Sequence, residues 1–445
     1  MGRGGGHFAR GLPWLLVLCM AAVACAPPSG WSVAPPECDD TDSASFVTGF
    51  ESREGGAPDP FTYVEEDGLP VFHIFMSASL PDEDGYRPAR FVYRGRCYVA
   101  EMRYRGDTSL EFPKLSLTVD IDGEQRFDEP SLAGGFMGRR KLVLTSPFND
   151  NSYLRARLAF ELWNRMSPDH LPVQAYSAVV YMNGRYQGLY TVMDHIDRDY
   201  LSAHGLDPGG DLFKAVGGDA NFSRLDSMGG QKKKLHQGYE KKAGKPEDGD
   251  EAYRTIDALT AFVADATPEQ FLAERGDWVD VSDYEDWWIL STLMSAKDSV
   301  AKNAYHFRAR GTGARFRYIP WDLDTSFGQD WNTTRLHAED LDPYTRENRV
   351  FSRMLEDPAI AGPLRERYRA LLQGPLSRDV VLGLIDGYVR ELEPAALKDE
   401  ARWGKEYKSF RSWSWRTDFN DFEGEVAYLR AWVDTRWRVL EESLR

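Results

Sequence analysis

The sequence predicts an α+β protein: an antiparallel β-sheet with one inserted helix first, and a mostly helical part after it. Three observations predict this. Leu115, Leu117, Val119 and Ile121 alternate along one side of their segment, the period of a half-buried strand. Two apolar runs, AYSAVVYM and YQGLYTVM, flank Asn183-Gly184, and Asn-Gly suits a tight hairpin because both residues tolerate positive φ. Beyond Arg198 the apolar residues recur mainly at helical spacing.

Taken in order, LPVFHIFM from Leu69 is a compact apolar run suited to a buried strand. ARFVYRG and RCYVAEMRYRG continue the strand-like pattern. Between Asp150 and Met166 the period changes: Leu154, Leu158, Phe160, Leu162 and Met166 share a helical stripe, and Asn149-Asp150 offers its cap. The NG hairpin follows. Gly229 to Asp250 is polar, lysines first and acids after, and reads as a mobile loop. Ala252 to Phe271 and Asp283 to Ala296 read as helices, and AYHFRA with RFRYIPWD as a strand hairpin. Helical stripes with short breaks fill the rest from about Val350.

The first 24 residues read as a signal and not as fold. Arg3 and Arg10 precede an apolar run, Leu12–Ala24, of 13 residues, shorter than the ~18 of a spanning helix. The run ends Ala22-Val23-Ala24-Cys25, and a lipoprotein signal with lipid on Cys25 is favoured over simple cleavage. Residues 25–65, rich in Pro, Ser, Asp and Gly, read as a flexible tether, and 66–445 as the folded body. This places the chain in the bacterial envelope, exported and attached to a membrane. Cys38 and Cys97 then remain as a single pair, with a disulfide favoured over two free thiols.

Hydrophobic residues make up 42% of the chain, enough for a sizeable core. A formal net charge of −16 argues against nucleic-acid binding, which cationic contacts to phosphate dominate. Oligomeric state is not legible. The chain has no G-x-x-x-x-G-K-[ST], H-E-x-x-H or G-x-S-x-G motif. Asp322-x-Asp324-x-Ser326 is not a calcium loop, because Phe327 stands where Gly is needed and Thr333 where Glu is needed.

The stretch KDSVAKNAYHFRARGTGARFRYIPWDLDTSFG carries the chemistry. Asp298 and Asn303 have the spacing D-x-x-x-x-N, and Asp322-x-Asp324 follows a hairpin, ahead of Phe327-Gly328. Phosphoryl transfer uses these groups in this order: a carboxylate for the hydroxyl proton, an amide oxygen, and a carboxylate for a metal on the phosphates. Upstream, Arg103-Tyr-Arg-Gly-Asp-Thr-Ser109 puts a Gly turn between strands whose N–H groups could cradle phosphate, and Lys114 follows.

RYRGDTSLEFPK, KLVLTSPFNDNSYLRARLAFELWNRM, VVYMNGRYQGLYTVMDHIDRDYL and IPWDLDTSFG together resemble the spore coat protein H (CotH) kinase family, in register from about Leu69 to the C-terminus. The resemblance implies a two-lobed, atypical protein-kinase-like fold, with an N-lobe at about 66–197 and a C-lobe at about 198–445. It implies ATP with Mg²⁺ or Mn²⁺, and Ser or Thr of surface or coat proteins as acceptor. By position, Asp298 matches the base and Asn303 the metal-side amide. Asp322 is favoured over Asp324 as the main metal ligand, with Asp324 supporting it. Lys114 leads for the nucleotide lysine, with Arg105 adding a phosphate contact and Glu161 able to hold Lys114. Asp194 stands where the family commonly has Glu, and the resemblance leaves it a contact to a ribose or to the hinge; Lys214 aligns with a family Lys whose role stays open. Two alternatives also stay open: a non-catalytic surface module, and transfer of AMP instead of phosphate.

Overall fold

The computed structural model describes residues 59–76, 85–131, 135–412, 414–416 and 420–445. The signal segment, the lipid position Cys25, Cys38 and most of the tether lie outside the described residues. Cys97 is disulfide-bonded, and its partner lies outside them too.

Seven strands close into a barrel: β1 (Val71–Met76), β2 (Arg87–Tyr93), β3 (Arg96–Arg105), β4 (Ser116–Ile121), β7 (Lys141–Thr145), β8 (Ala175–Met182) and β9 (Arg185–Asp194), in the order β1-β2-β3-β4-β7-β9-β8. β5 (Phe127–Glu129) and β6 (Phe136–Arg139) pair separately. The expected antiparallel sheet is therefore corrected in one respect. β1 and β8 run parallel, with Val71 opposite Val179, and that pairing closes the sheet. Alternation explains it. Phe72 and Ile74 point inward with Phe91, Leu117, Val119 and Leu144, while Val71, Val179 and Leu189 join the core outside the barrel. A strand apolar on both faces needs neighbours on both, and closure leaves no unpaired edge.

The NG turn forms as expected, with φ of +49° at Asn183 and +73° at Gly184. Asn183 also accepts a hydrogen bond from the Met76 N–H at 2.9 Å, tying the hairpin to β1. The inserted helix α1 (Arg155–Met166) buries Leu158, Phe160, Leu162, Trp163 and Met166. It starts later than the sequence suggested, with Leu154 at its N-cap position. Asp150 still accepts from the Arg155 N–H at 2.9 Å, but Asn149 is used elsewhere.

After the short helix α2 (Arg198–Ala203), a second sheet forms in the order β11-β10-β12-β13, from β10 (Asp211–Ala215), β11 (Tyr239–Ala243), β12 (Ala304–Arg308) and β13 (Phe316–Pro320). The expected mobile loop at Gly229–Asp250 is thus corrected: β11 lies within it. Tyr239 and Ala243 are buried, and the Lys241 ammonium is satisfied by Asp211 at 2.7 Å and the Ala252 carbonyl at 2.8 Å. The helix expected at 252–271 is two helices, α3 (Arg254–Asp265) and α4 (Pro268–Trp278). Thr267 and Gln270 form a capping box and Pro268 follows at the first helical position, both start signals for a new helix.

Helices α5 (Val281–Met294), α6 (Arg349–Glu356), α7 (Pro358–Gln373), α8 (Arg378–Ser409) and α9 (Phe422–Ser443) complete the fold. α8 reaches back to pack on β9. No helix among the described residues is long and apolar enough to cross a membrane.

Candidate functional site

The β12–β13 hairpin brings the chemistry-bearing residues together. Ala304 lies opposite Pro320, so Asn303 and Trp321 each stand one step beyond the same end of the ladder. A 3₁₀ turn, Lys297–Ser299, precedes this end and carries Asp298. Ser299 Oγ donates to the Asp322 carbonyl at 3.2 Å, and the Asn303 N–H donates to the Ala215 carbonyl of β10 at 2.9 Å. Asn303 and Asp322 both sit in the left-handed region, at φ +57° and +56°. Such backbone costs energy and persists where neighbouring structure holds it.

Asp298 is held from two sides. The Lys302 ammonium lies 2.9 Å from Oδ1 and Asn303 Nδ2 donates to Oδ2 at 2.9 Å. Burial raises its pKa, and Lys302 opposes the shift without cancelling it. A base with a raised pKa takes up a proton more readily near neutral pH.

Asp322 is exposed. Asp324 is half-buried, and its Oδ2 accepts from Asn149 Nδ2 at 2.8 Å. Burial first, then the charge of Asp322, pushes the Asp324 pKa up to about 7. The loop behind this pair is clamped by Arg155. Its Nε donates to the Ser326 carbonyl at 3.1 Å, while its other nitrogens bond Asp150 at 2.5 Å and Glu425 of α9 at 2.7 Å. Burial alone would raise Glu425; Arg155, Arg335 and Arg416 outweigh it and hold the carboxylate well below its ordinary range.

Two cations complete the site. Lys214 on β10 lies opposite Tyr305 on β12, which lies opposite Ile319 on β13. Cross-strand partners share a face, so Lys214, Tyr305 and Trp321 stand together. The Lys214 ammonium is 6.0 Å from the Tyr305 ring centre and 5.8 Å from that of Trp321. Arg105, at the end of β3, lies over the same Trp321 ring at 5.5 Å. Burial lowers both pKa values, and the charge of Asp322 opposes the shift in both. Among the described residues neither cation makes a hydrogen bond or an ion pair at salt-bridge distance.

Three residues singled out in the sequence stand elsewhere. Lys114 is fully buried and donates to Asp399 at 2.5 Å and to the Leu189 carbonyl at 2.7 Å. Glu161 is not its partner: that carboxylate pairs with Arg165 one turn along the α1 surface, at 2.5 Å. Asp194 is wholly buried, paired with Arg139 at 2.6 Å and accepting the Gln174 N–H at 2.8 Å. Its neighbours consume both oxygens, leaving none exposed for a ribose. The residues that sequence reasoning missed are Asn149, Arg155, Lys302 and Asp399. Lys302 stands four residues after Asp298, a spacing that could have suggested the pair. The other contacts depend on chain segments far apart in sequence.

Among the described residues no group of three or more His, Cys, Asp and Glu side chains is arranged to hold a metal. The donor set still fits one kind of ion. Mg²⁺ keeps several waters and uses one or two carboxylates plus substrate phosphates, where a protein cage would need more. Asp322 and Asp324 supply hard oxygens of that number, and the charge of Asp322 acts on both Arg105 and Lys214 beside it.

The family described as CotH kinase protein matches residues 102–440 of the chain. The chain is also similar to the inner spore coat protein H of Bacillus subtilis (strain 168), 28% identical over 396 residues, which cover 85% of this chain and 98% of that protein.

Proposed function

From the premise that this chain belongs to the CotH kinase protein family, we propose that it is an exported, lipid-anchored kinase. It transfers the γ-phosphate of ATP to Ser or Thr of surface or coat proteins. In this reading the barrel and the part that follows it are the two lobes of an atypical kinase-like fold. The relative's place in an inner spore coat supports a role in assembling an outer layer of the cell or spore.

The observation that carries the reading is the pairing of unmatched charges. Arg105 and Lys214 lack bonded anions among the described residues, while burial first, and then the charge of neighbouring Asp322, push the Asp324 pKa up to about 7. Such an arrangement is unfavourable alone, since like charges repel and buried cations lose solvation. A nucleotide phosphate with a divalent ion relieves both costs. Asp322 and Asp324 would hold Mg²⁺ or Mn²⁺, with Asn303 beside them, and the ion would neutralise phosphate charge. Arg105 and Lys214 would bind the phosphate oxygens. Lys114 has a structural role in this reading.

The chemistry balances simply. The acceptor hydroxyl oxygen forms a bond to the γ-phosphorus, and its proton passes to Asp298. The bond from that phosphorus to the bridging oxygen breaks, and ADP leaves with the electron pair.

Incubation with ATP labelled at the γ- or the α-phosphate tests the reading. Label from the γ-position alone, abolished by Asp322→Ala, is the expected result. Label from the α-position would indicate transfer of AMP. Absence of any thermal stabilisation by ATP with Mg²⁺ or Mn²⁺ would overturn both enzymatic readings and leave a non-catalytic surface module.

A further inference from the structure

A cleft of about 750 Å³ opens beside Asp298. Its volume falls within the ~300–1,000 Å³ of ligand sites. Three segments wall it: the chain between β10 and β11, the turn that carries Asp298, and α6 with the residues just before it. None of Arg105, Lys214, Asp322 and Asp324 lines this space. Asp298 therefore borders two regions, one holding the phosphate-side groups and one without them.

Two features of the walls bear on what fits there. Glu347 lines the cleft, and its Oε2 has no hydrogen-bond partner among the described residues. A carboxylate on a cleft wall accepts an N–H or O–H from whatever occupies the cleft. Opposite in character, Leu225 lines the cleft while remaining 40% exposed, and Leu355 lines it from α6. A seryl side chain alone would fill a small part of this volume and would touch neither feature.

The geometry points to this cleft as the seat of an extended acceptor polypeptide, its hydroxyl at Asp298, a hydrogen-bond donor on Glu347 and an aliphatic side chain against Leu225 and Leu355. The assignment rests on the phosphotransfer reading given above. It adds where the acceptor chain sits and the residues that select it. It also gives the chain between β10 and β11 a use as the wall of the acceptor site.

The test uses the full chain with γ-labelled ATP, Mn²⁺ and a degenerate peptide library carrying a fixed central Ser, with free serine as a second acceptor. Leu225→Arg and Glu347→Gln are compared with the unaltered protein, and unfolding midpoints without ligand establish that each variant folds. At least a tenfold rise in KM for the library is expected in each variant, with stabilisation by ATP and Mn²⁺ unchanged. Glu347→Gln should also alter which library positions are preferred. Unchanged library kinetics in both variants, with nucleotide stabilisation intact, would overturn the acceptor cleft alone. Free serine labelled as efficiently as the library would overturn the polypeptide class. Loss of nucleotide stabilisation in the unaltered protein would overturn the phosphotransfer reading and this assignment with it.

Discussion

Lys114 and Asp399, 285 residues apart in the chain, form an ion pair at 2.5 Å in which both side chains are fully buried. Asp399 also accepts from the Leu189 N–H at 2.7 Å and from the Tyr153 hydroxyl at 3.0 Å, and from the Tyr407 hydroxyl. The pair fastens α8 to the barrel. Breaking a buried pair by removing one partner leaves the other charged and unmet, at a cost of about 3–5 kcal/mol. Lys114→Met should lower unfolding stability by that amount in urea titration. The fraction that stays folded should bind ATP with Mn²⁺ normally. A large loss of nucleotide affinity in a stably folded Lys114→Met protein would return Lys114 to the nucleotide site.

Lys214 gives the opposite expectation. Its ammonium makes no ion pair among the described residues and rests near two aromatic rings, so Lys214→Ala should leave the unfolding midpoint nearly unchanged. A hydrogen bond to a charged group contributes about 1.5–3 kcal/mol, so nucleotide affinity should fall by roughly ten- to a hundredfold. Arg105→Ala should behave alike. Isothermal titration with ATP and Mn²⁺ measures both.

Asp324 makes stability and metal binding depend on pH. Its folded pKa of about 7 stands above the ordinary 3.8, so the folded protein holds a proton that the unfolded chain has released across that interval. Stability contributed by this group is therefore lost as pH rises from about 4 through 7. Bound Mn²⁺ would displace the proton, so its affinity should rise with pH up to about 7 and level off above. Asp324→Asn should flatten both profiles. Thermal unfolding between pH 5 and 8, with and without Mn²⁺, reads them.

Gly188 lies in the NGRYQGLY segment at φ +112°. A Cβ there would stand 2.0 Å from Asp399 Oδ1 and 3.1 Å from Lys114 Nζ. Gly188→Ala combines a strained φ, about 1–3 kcal/mol, with displacement of the buried pair. Denaturant unfolding should register a loss larger than that of Gly184→Ala in the nearby turn, where a Cβ meets nothing within 4 Å.

The sequence by itself determined the local elements and the order of the chemistry. Alternation at Leu117, Val119 and Ile121 placed β4, Asn183-Gly184 placed the β8–β9 turn, and the spacing of Asp298, Asn303, Asp322 and Asp324 survived intact, because one hairpin carries all four to the same end of a sheet. Patterns of this kind depend on neighbours a few residues away, and such neighbours are visible in a sequence. Tertiary structure alone decided which cation stands beside those acids. Lys114 and Lys214 each sit in or beside a strand as a lone lysine among apolar residues, and nothing local separates them. Asp399, arriving from a helix near the other end of the chain, consumes Lys114, whereas Lys214 stands with Tyr305 and Trp321, feels the charge of Asp322 and makes no salt bridge among the described residues. A charge's role is fixed by whether a partner reaches it, and the partner here lies 285 residues away.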